Sequence, residues 1–400
     1  MWFGLALLCC ACGDDARDAS GASSGSASGN GGAGATGGEG TAGAGVGGGG
    51  ATAACEAVAP HQISETPGAA GATRVVWNGD GYGVIWSDDR DAPDNTGDET
   101  EMYFARLDPK GNKIGTDVRV TNAPGTTGVG SLVWNGSEYG VVFGDARTSA
   151  GIYFTRLDAS GTKLSDEVLL TPGQVPRLTW SGSEYGFSFT DSGAVQFVRL
   201  DPEGAMLHAP TVVGEGWNPS QARSTDGWGI AFHDPIDPLQ VYFTRLDDRG
   251  ALAAPPTLVS TGPGWHASLA ARGDGFGVAW NSGFEMGMAV AGQIWFAELN
   301  HDGVVVGEQK PVSGPPGGVL FPSLAANPSG WGLAWVDDTK LSMSLVDAGG
   351  GVEPPSLLSS TAVESFLYMQ MTANGSGYGL VWTDSSDGTD EVWFATSCGE

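Results

Sequence analysis

One five-residue pattern returns seven times along the 400-residue chain: aromatic, Gly, apolar, any residue, aromatic. The copies are Tyr82-Gly83-Val84-Ile85-Trp86, Tyr139-Gly140-Val141-Val142-Phe143, Tyr185-Gly186-Phe187-Ser188-Phe189, Trp228-Gly229-Ile230-Ala231-Phe232, Phe276-Gly277-Val278-Ala279-Trp280, Trp331-Gly332-Leu333-Ala334-Trp335 and Tyr378-Gly379-Leu380-Val381-Trp382. Their aromatic-Gly pairs stand 57, 46, 43, 48, 55 and 47 residues apart. A self-similar period of this length restricts a chain to stacked or radially arranged units, because each unit buries its apolar face only against the next. In a strand, residues i, i+2 and i+4 share a face. Tyr82, Val84 and Trp86 therefore make a bulky face, and Gly83 and Ile85 a thinner one.

Three further strand-like pieces surround each signature. One precedes it and ends in a hairpin signal: Trp77-Asn78-Gly79, Trp134-Asn135-Gly136, Trp180-Ser181-Gly182. One follows it, as in Tyr103-Phe104-Ala105-Arg106-Leu107-Asp108 and Tyr153-Phe154-Thr155-Arg156-Leu157-Asp158, with Gly three residues after the Asp or Asn (Gly111, Gly161, Gly204, Gly250, Gly303, Gly350). An Asx residue followed by Gly marks a tight turn into a fourth, looser strand such as Val118–Thr121 or Val168–Thr171. Four antiparallel strands per unit at this period define a propeller blade. The expected fold is all-β, a seven-bladed β-propeller whose longest insertions, 88–101 and 281–293, join second to third strands.

The seventh unit stops at its third strand, Trp393–Cys398, and residues 56–66 precede the first unit without a partner of their own. The expectation is that this N-terminal segment supplies the missing strand and closes the ring. Cys398 occupies the place held by Asp108 and Asp158 in other blades, and counting back along the N-terminal strand brings Cys55 to the same turn. A Cys55–Cys398 disulfide is therefore predicted, in keeping with an oxidising compartment.

Ahead of the propeller (55–400) lie two other segments. Residues 1–12 form an apolar run too short to span a bilayer but suited to a signal peptide. The basic n-region is absent, so a start upstream of Met1 is expected. Ala11-Cys12-Gly13 resembles a bacterial lipobox, with Cys12 as the lipidated residue and Cys10 as the alternative; simple secretion is the competing reading. Residues 13–54 are nearly all Gly, Ala, Ser and Thr, a composition that buries too little to order itself. A coil of this kind has a root-mean-square reach of roughly 35 Å, which suits a tether.

The formal net charge is -28, from 18 Lys and Arg against 46 Asp and Glu. Nucleic acid is excluded as a partner, because such affinity rests on neutralising phosphates. Contact with a membrane is expected only through the lipid anchor. The residue two beyond the second aromatic is acidic in six units: Asp88, Asp145, Asp191, Asp234, Asp337 and Asp384. One reading is a ring of oxygen ligands or polyol acceptors at a binding face. The other, preferred because the acid repeats with the fold, is that each caps its own turn. Asp94, Asp98 and Glu99 in the acidic 88–101 loop are Ca²⁺ candidates without EF-hand spacing; otherwise no cofactor is expected. The 284–290 loop is apolar and reads as a partner contact or a cover over the channel. Within the repeats there is no G-x-S-x-G, Walker or H-E-x-x-H motif.

The combination of Trp86-Ser87-Asp88-Asp89-Arg90 and Tyr-x-x-Arg-Leu-Asp-x-x-Gly blades with a lipobox and Gly-rich stalk resembles bacterial surface and periplasmic propeller lipoproteins of the kind common in myxobacteria. The TolB-type and sialidase-type propellers are more distant, since the S-x-D-x-G-x-T-W box of the latter is missing. The resemblance implies a fold and an address: a propeller of the cell envelope, anchored at the outer membrane or secreted; a monomer is expected. The functional expectation is a non-enzymatic scaffold that recognises a glycan or protein partner on its inter-blade-loop face. The alternatives are a carboxylate-dependent glycoside hydrolase and a structural envelope component.

Overall fold

The computed structural model describes residues 57–64, 70–92, 99–147, 151–236, 239–285, 288–289, 291–337, 340–359, 369–384 and 390–398. Cys10, Cys12, the 13–54 segment, Cys55, Asp94 and Asp98 lie outside these residues. The described chain contains strands and turns and no helix. It forms seven four-stranded antiparallel sheets, plus a two-stranded ribbon (Phe284–Glu285, Met288–Ala289) in the insertion of the fifth sheet. This is a seven-bladed β-propeller.

Blade 1 runs Ala70–Trp77, Tyr82–Asp88, Glu101–Leu107 and Lys113–Arg119 from the axis outward. Its outer strand begins earlier than the expected Val118–Thr121, because pairing resumes straight after the Asp108 turn (Leu107 opposite Lys113). Blades 2 to 6 repeat the order in sequence. Blade 7 instead takes its outer strand from the N-terminus: Val58–Gln62 pairs antiparallel with Glu391–Cys398, with Val58 opposite Thr396 and Gln62 opposite Trp393. The ring therefore closes as the unpaired N-terminal segment predicted. The inner strands touch one another all the way round, and Ala70–Trp77 lies between Thr127–Trp134 and Met369–Ala373.

The seven signatures explain why the blades stack. A Cβ on Gly83 would lie 2.6 Å from Cε1 of Tyr139, the first aromatic of the next blade. The same relation links Gly140 to Tyr185, Gly186 to Trp228, Gly229 to Phe276, Gly277 to Trp331 and Gly332 to Tyr378, and Gly379 to Tyr82 completes the circle. Six of the seven aromatics also meet the third-strand ring of the preceding blade, as in Phe104–Tyr139 (centroids 5.0 Å apart), Phe154–Tyr185 (5.5 Å) and Phe394–Tyr82 (4.9 Å); before Tyr378 the third strand carries Met343 instead of a ring. Bulk against glycine lets the sheets approach to the density of a protein interior. Asparagine from the preceding hairpin completes the joint: Asn78, Asn135 and Asn374 donate to the hydroxyls of Tyr139 (2.8 Å), Tyr185 (3.1 Å) and Tyr82 (2.7 Å).

Candidate functional site

The two ends of the axis differ in chemistry. One end, here the hairpin face, carries the turns between first and second and between third and fourth strands. The other, the crossover face, carries the second-to-third-strand insertions and the connections between blades.

At the crossover face the inner strands of six blades break register near their start, between Gly71 and Arg74, Val129 and Ser131, Gln174 and Arg177, Trp217 and Ser220, Trp265 and Ser268, and Leu320 and Ser323. The bulged residue lies in the left-handed region in five blades: Ala72 (φ 49), Val175 (φ 53), Asn218 (φ 56), His266 (φ 50) and Phe321 (φ 52). Such a conformation costs a non-glycine residue of order 1–3 kcal/mol and is worst for β-branched Val175. The surrounding sheet holds it in place. Bulges of this kind re-aim side chains. Here they deliver Ala, Val, Asn, His and Phe from blades 1, 3, 4, 5 and 6 to one level of the fold, all of them buried.

A polar chain crosses that level. Arg177 Nη2 donates to Asn218 Oδ1 at 3.4 Å, and Asn218 Nδ2 donates to His266 Nδ1 at 3.4 Å. Arg74 Nε and Arg177 Nη1 both donate to the Gly130 carbonyl, at 2.8 and 3.5 Å. His266 is packed edge-on between Trp265 (centroids 4.0 Å) and Phe321 (5.0 Å) and lies 6.5 Å from the His233 ring. Burial pushes His266 well below the ordinary histidine value, and the nearby His233 and Arg177 add to it. Burial likewise lowers His233 to about 4. Both imidazoles are therefore neutral near pH 7.

Below this level one residue per blade bridges to its neighbour. Arg74 reaches Gly130 O, Ser131 reaches Leu178 O (3.3 Å), and Arg177 reaches Asn218. Ser220, Ser268, Ser323 and Gln370 accept from the backbone N–H of Leu269, Leu324, Met371 and Val75 at 2.8–3.0 Å. All seven side chains are buried. Motif reading misses this ring; its signal is clear only in blades 2, 5 and 6, where a serine stands between small or apolar neighbours: Gly130-Ser131-Leu132, Ala267-Ser268-Leu269, Pro322-Ser323-Leu324.

The six repeated acids end the second strands, one sheet position outward from the axis. Asp88 is buried and accepts from Trp86 Nε1 (3.0 Å), Arg90 N (2.8 Å) and Arg90 Nη2 (2.6 Å). Asp145 repeats this with Arg147 N (2.8 Å), Arg147 Nη2 (2.6 Å) and Thr127 Oγ1 (3.0 Å). Asp191 accepts from Ser192 and Gln196, and Asp234 from Gln240 N at 2.9 Å. Asp337 stands opposite Lys340, and Asp384 opposite Glu391. Four of the six thus bind their own loops, as turn capping requires. Arg90 and Arg147 in turn lie over Tyr103 (4.0 Å) and Tyr153 (4.5 Å) and pair with Asp117 and Glu167. Glu99 is exposed. Among the described residues no group of three or more His, Cys, Asp or Glu side chains converges as a metal site.

No protein-family model and no curated protein sequence matches the chain. Among solved structures it is similar to the β-propeller domain of Cps50 (Swd1) from Myceliophteria thermophila, at TM-score 0.52 and 9% identity over 85% of this chain and 99% of that one. It is also similar to the Hadza microbial sialidase Hz136 (TM-score 0.49, 12% identity, 82% of this chain) and to a prolyl endopeptidase (0.47, 12%, 84%). The chain spans 66% of the sialidase and 50% of the endopeptidase. These likenesses speak to the propeller fold alone.

Proposed function

We propose that this propeller is a non-enzymatic recognition module of the cell envelope, tethered through a lipidated Cys12 and its Gly-rich stalk, with a glycan or protein ligand seated on the crossover face. The observation that carries the reading is the bulged level of the inner strands. The framework around it is repeated blade by blade, while the residues it presents differ in every described case: Ala72, Val175, Asn218, His266, Phe321. Strain at a fixed position with a varied side chain fits a floor built for one particular ligand better than it fits packing, which would have converged on one solution. The same face carries the connections that follow Asp88 and Asn281, and the second contains the ribbon Phe284–Glu285, Met288–Ala289.

Paired carboxylates for glycoside hydrolysis need one acid free to protonate a leaving group. Asp88 and Asp145 are instead fixed by guanidinium and backbone donors. Glycan-array and protein-capture experiments on the full chain, beside a general glycosidase assay with and without Ca²⁺, test the reading. Ligand binding that His266→Ala weakens, without turnover, is expected. Turnover would overturn the non-enzymatic assignment, and the absence of any ligand would leave a structural envelope component as the better account.

A further inference from the structure

The hairpin face carries a second asymmetry that packing does not require. The inner-strand position directly opposite the first signature aromatic, at the hairpin end, holds Trp77, Trp134 and Trp180 in blades 1 to 3 and Arg223 in blade 4. In blades 5 to 7 the same position holds Ala271, Ala326 and Ala373. The three indoles pack on the tyrosines beneath them, Trp77 on Tyr82 (4.8 Å), Trp134 on Tyr139 (4.6 Å) and Trp180 on Tyr185 (4.6 Å), and each remains half-buried. Arg223 lies over Trp228 in the same way, at 4.5 Å.

If the indoles served only to cover the signature aromatics, the alanine blades would leave theirs exposed. They do not: Phe276, Trp331 and Tyr378 are 1%, 2% and 1% accessible, against 0% for Tyr82, Tyr139 and Tyr185. The three tryptophans are therefore surplus to burial. They are also adjacent, in consecutive blades, and they alternate with side-chain amides. Trp77 shares its tyrosine with Asn374, Trp134 with Asn78 and Trp180 with Asn135. Asp80, Glu138 and Glu184 flank the arc in the same hairpins, and Glu138 and Glu184 are paired with Arg156 (3.1 Å) and Arg199 (2.7 Å), so the rim is close to charge-balanced and suits a neutral ligand.

We propose that this arc is a second binding site, on the hairpin face, for a neutral pyranose oligosaccharide. The apolar faces of successive sugar rings would lie on the exposed parts of Trp77, Trp134 and Trp180. Their hydroxyls would meet Asn78, Asn135 and the carboxylates of Glu138 and Glu184. The platforms suit the task because each indole is already held by its tyrosine, so little side-chain freedom is lost on binding. The site is separate from the crossover face, and its fate does not depend on a ligand being found there.

Calorimetric titration of the full chain with cellohexaose, laminarihexaose, maltohexaose, xylohexaose and mannohexaose tests it. At least one is expected to bind, and Trp134→Ala is expected to weaken that binding by about tenfold or more. The component of binding that Trp134→Ala removes is expected to persist in His266→Ala, which reports on the opposite face. Trp134→Phe, which keeps an apolar ring over Tyr139, serves if the alanine variant does not fold, and should bind more weakly than wild type. Protection of tryptophan fluorescence from acrylamide by the bound sugar gives an independent readout. Failure of all five sugars to bind, or binding that survives replacement of all three tryptophans by phenylalanine, overturns the proposal. Weakening by His266→Ala but not by Trp134→Ala would assign the sugar to the crossover face and equally overturn it.

Discussion

Gly83 shows what a single residue decides in this fold. Its missing Cβ is the space into which Tyr139 fits, and the six equivalent glycines do the same for their neighbours. The cost of refilling it follows from close packing. The ring that would be displaced is buried, abuts Phe104 and Trp134, and is hydrogen-bonded by Asn78. Gly83→Ala is expected to destabilise by about 1–3 kcal/mol, as overpacking does in other cores. Gly144 is also a second-strand glycine, but nothing lies within 4 Å of its absent Cβ. Gly144→Ala should therefore be nearly neutral, and equal losses for both variants in urea unfolding would refute the interlock. The same confinement acts on the tyrosines. Burial raises Tyr82 and Tyr139 to about 12, partly offset by the amides of Asn374 and Asn78. The aromatic-glycine pairing was legible in sequence because both partners are encoded in one five-residue motif. The bridging ring of Arg74, Ser131, Arg177, Ser220, Ser268, Ser323 and Gln370 was not, since three chemistries perform one role and no single motif unites them. The left-handed bulge escaped for a related reason: Ala72, Val175, Asn218, His266 and Phe321 share a backbone conformation that none of their side chains announces.

At the scale of the element, the strand Val58–Gln62 is the closure, and it is a slender one. It makes a broken register against Glu391–Cys398, strengthened by Val58 N donating to Thr396 Oγ1 (2.8 Å) and by His61 Nε2 against the Gly111 carbonyl (3.0 Å) in blade 1. In the other six blades a covalent turn joins third to fourth strand, as at Asp158–Gly161, where the Asp carboxylate accepts from the N–H groups of Ser160 and Thr162 and Gly161 sits at φ 87. Blade 7 has no such turn. A Cys55–Cys398 bond would replace it. The closed loop would span nearly the whole propeller, for which the chain-entropy model gives roughly 5–6 kcal/mol as an upper figure. Non-reducing peptide mapping of exported protein is expected to recover one linked peptide containing both residues. Cys398→Ser should lower the thermal midpoint and expose the third strand of blade 7 to hydrogen exchange before any other blade. A free thiol at Cys398 would end the idea. The need for a closing strand was readable because the repeat count left one piece over at each terminus. The length of the outer strands was not readable, because half-exposed edge strands carry little periodic signal.

For the molecule as a whole, acidity and the buried histidines act in opposite directions as pH falls, and their pH windows separate them. At neutral pH the surplus of carboxylates repels itself, and protonating it toward the sequence pI of about 4.2 relieves that repulsion. His233 and His266 work the other way. Their folded values lie below the ordinary 6.5, His233 at about 4. Above pH 6.5 neither state is protonated and the pair contributes nothing to the pH dependence. Between 6.5 and about 4 the unfolded chain takes up protons that the folded chain does not, so stability falls as pH falls through this interval. For His233 the full effect is at most about 3 kcal/mol, since each tenfold difference in proton affinity between the folded and unfolded chain is worth about 1.36 kcal/mol. The residue is half-buried, although Nδ1 is enclosed without a partner, so the realised figure is smaller. Unfolding free energy is therefore expected to drop between pH 6.5 and 5, before most carboxylates begin to titrate. His266→Asn should flatten that drop and leave stability at pH 8 comparatively little changed. Urea unfolding of both proteins at half-unit pH steps decides the matter: parallel profiles from 8 to 5 would mean that His266 does not govern the acid limb. A flattened profile would instead identify the floor of that face as the place where protonation first disturbs the ring.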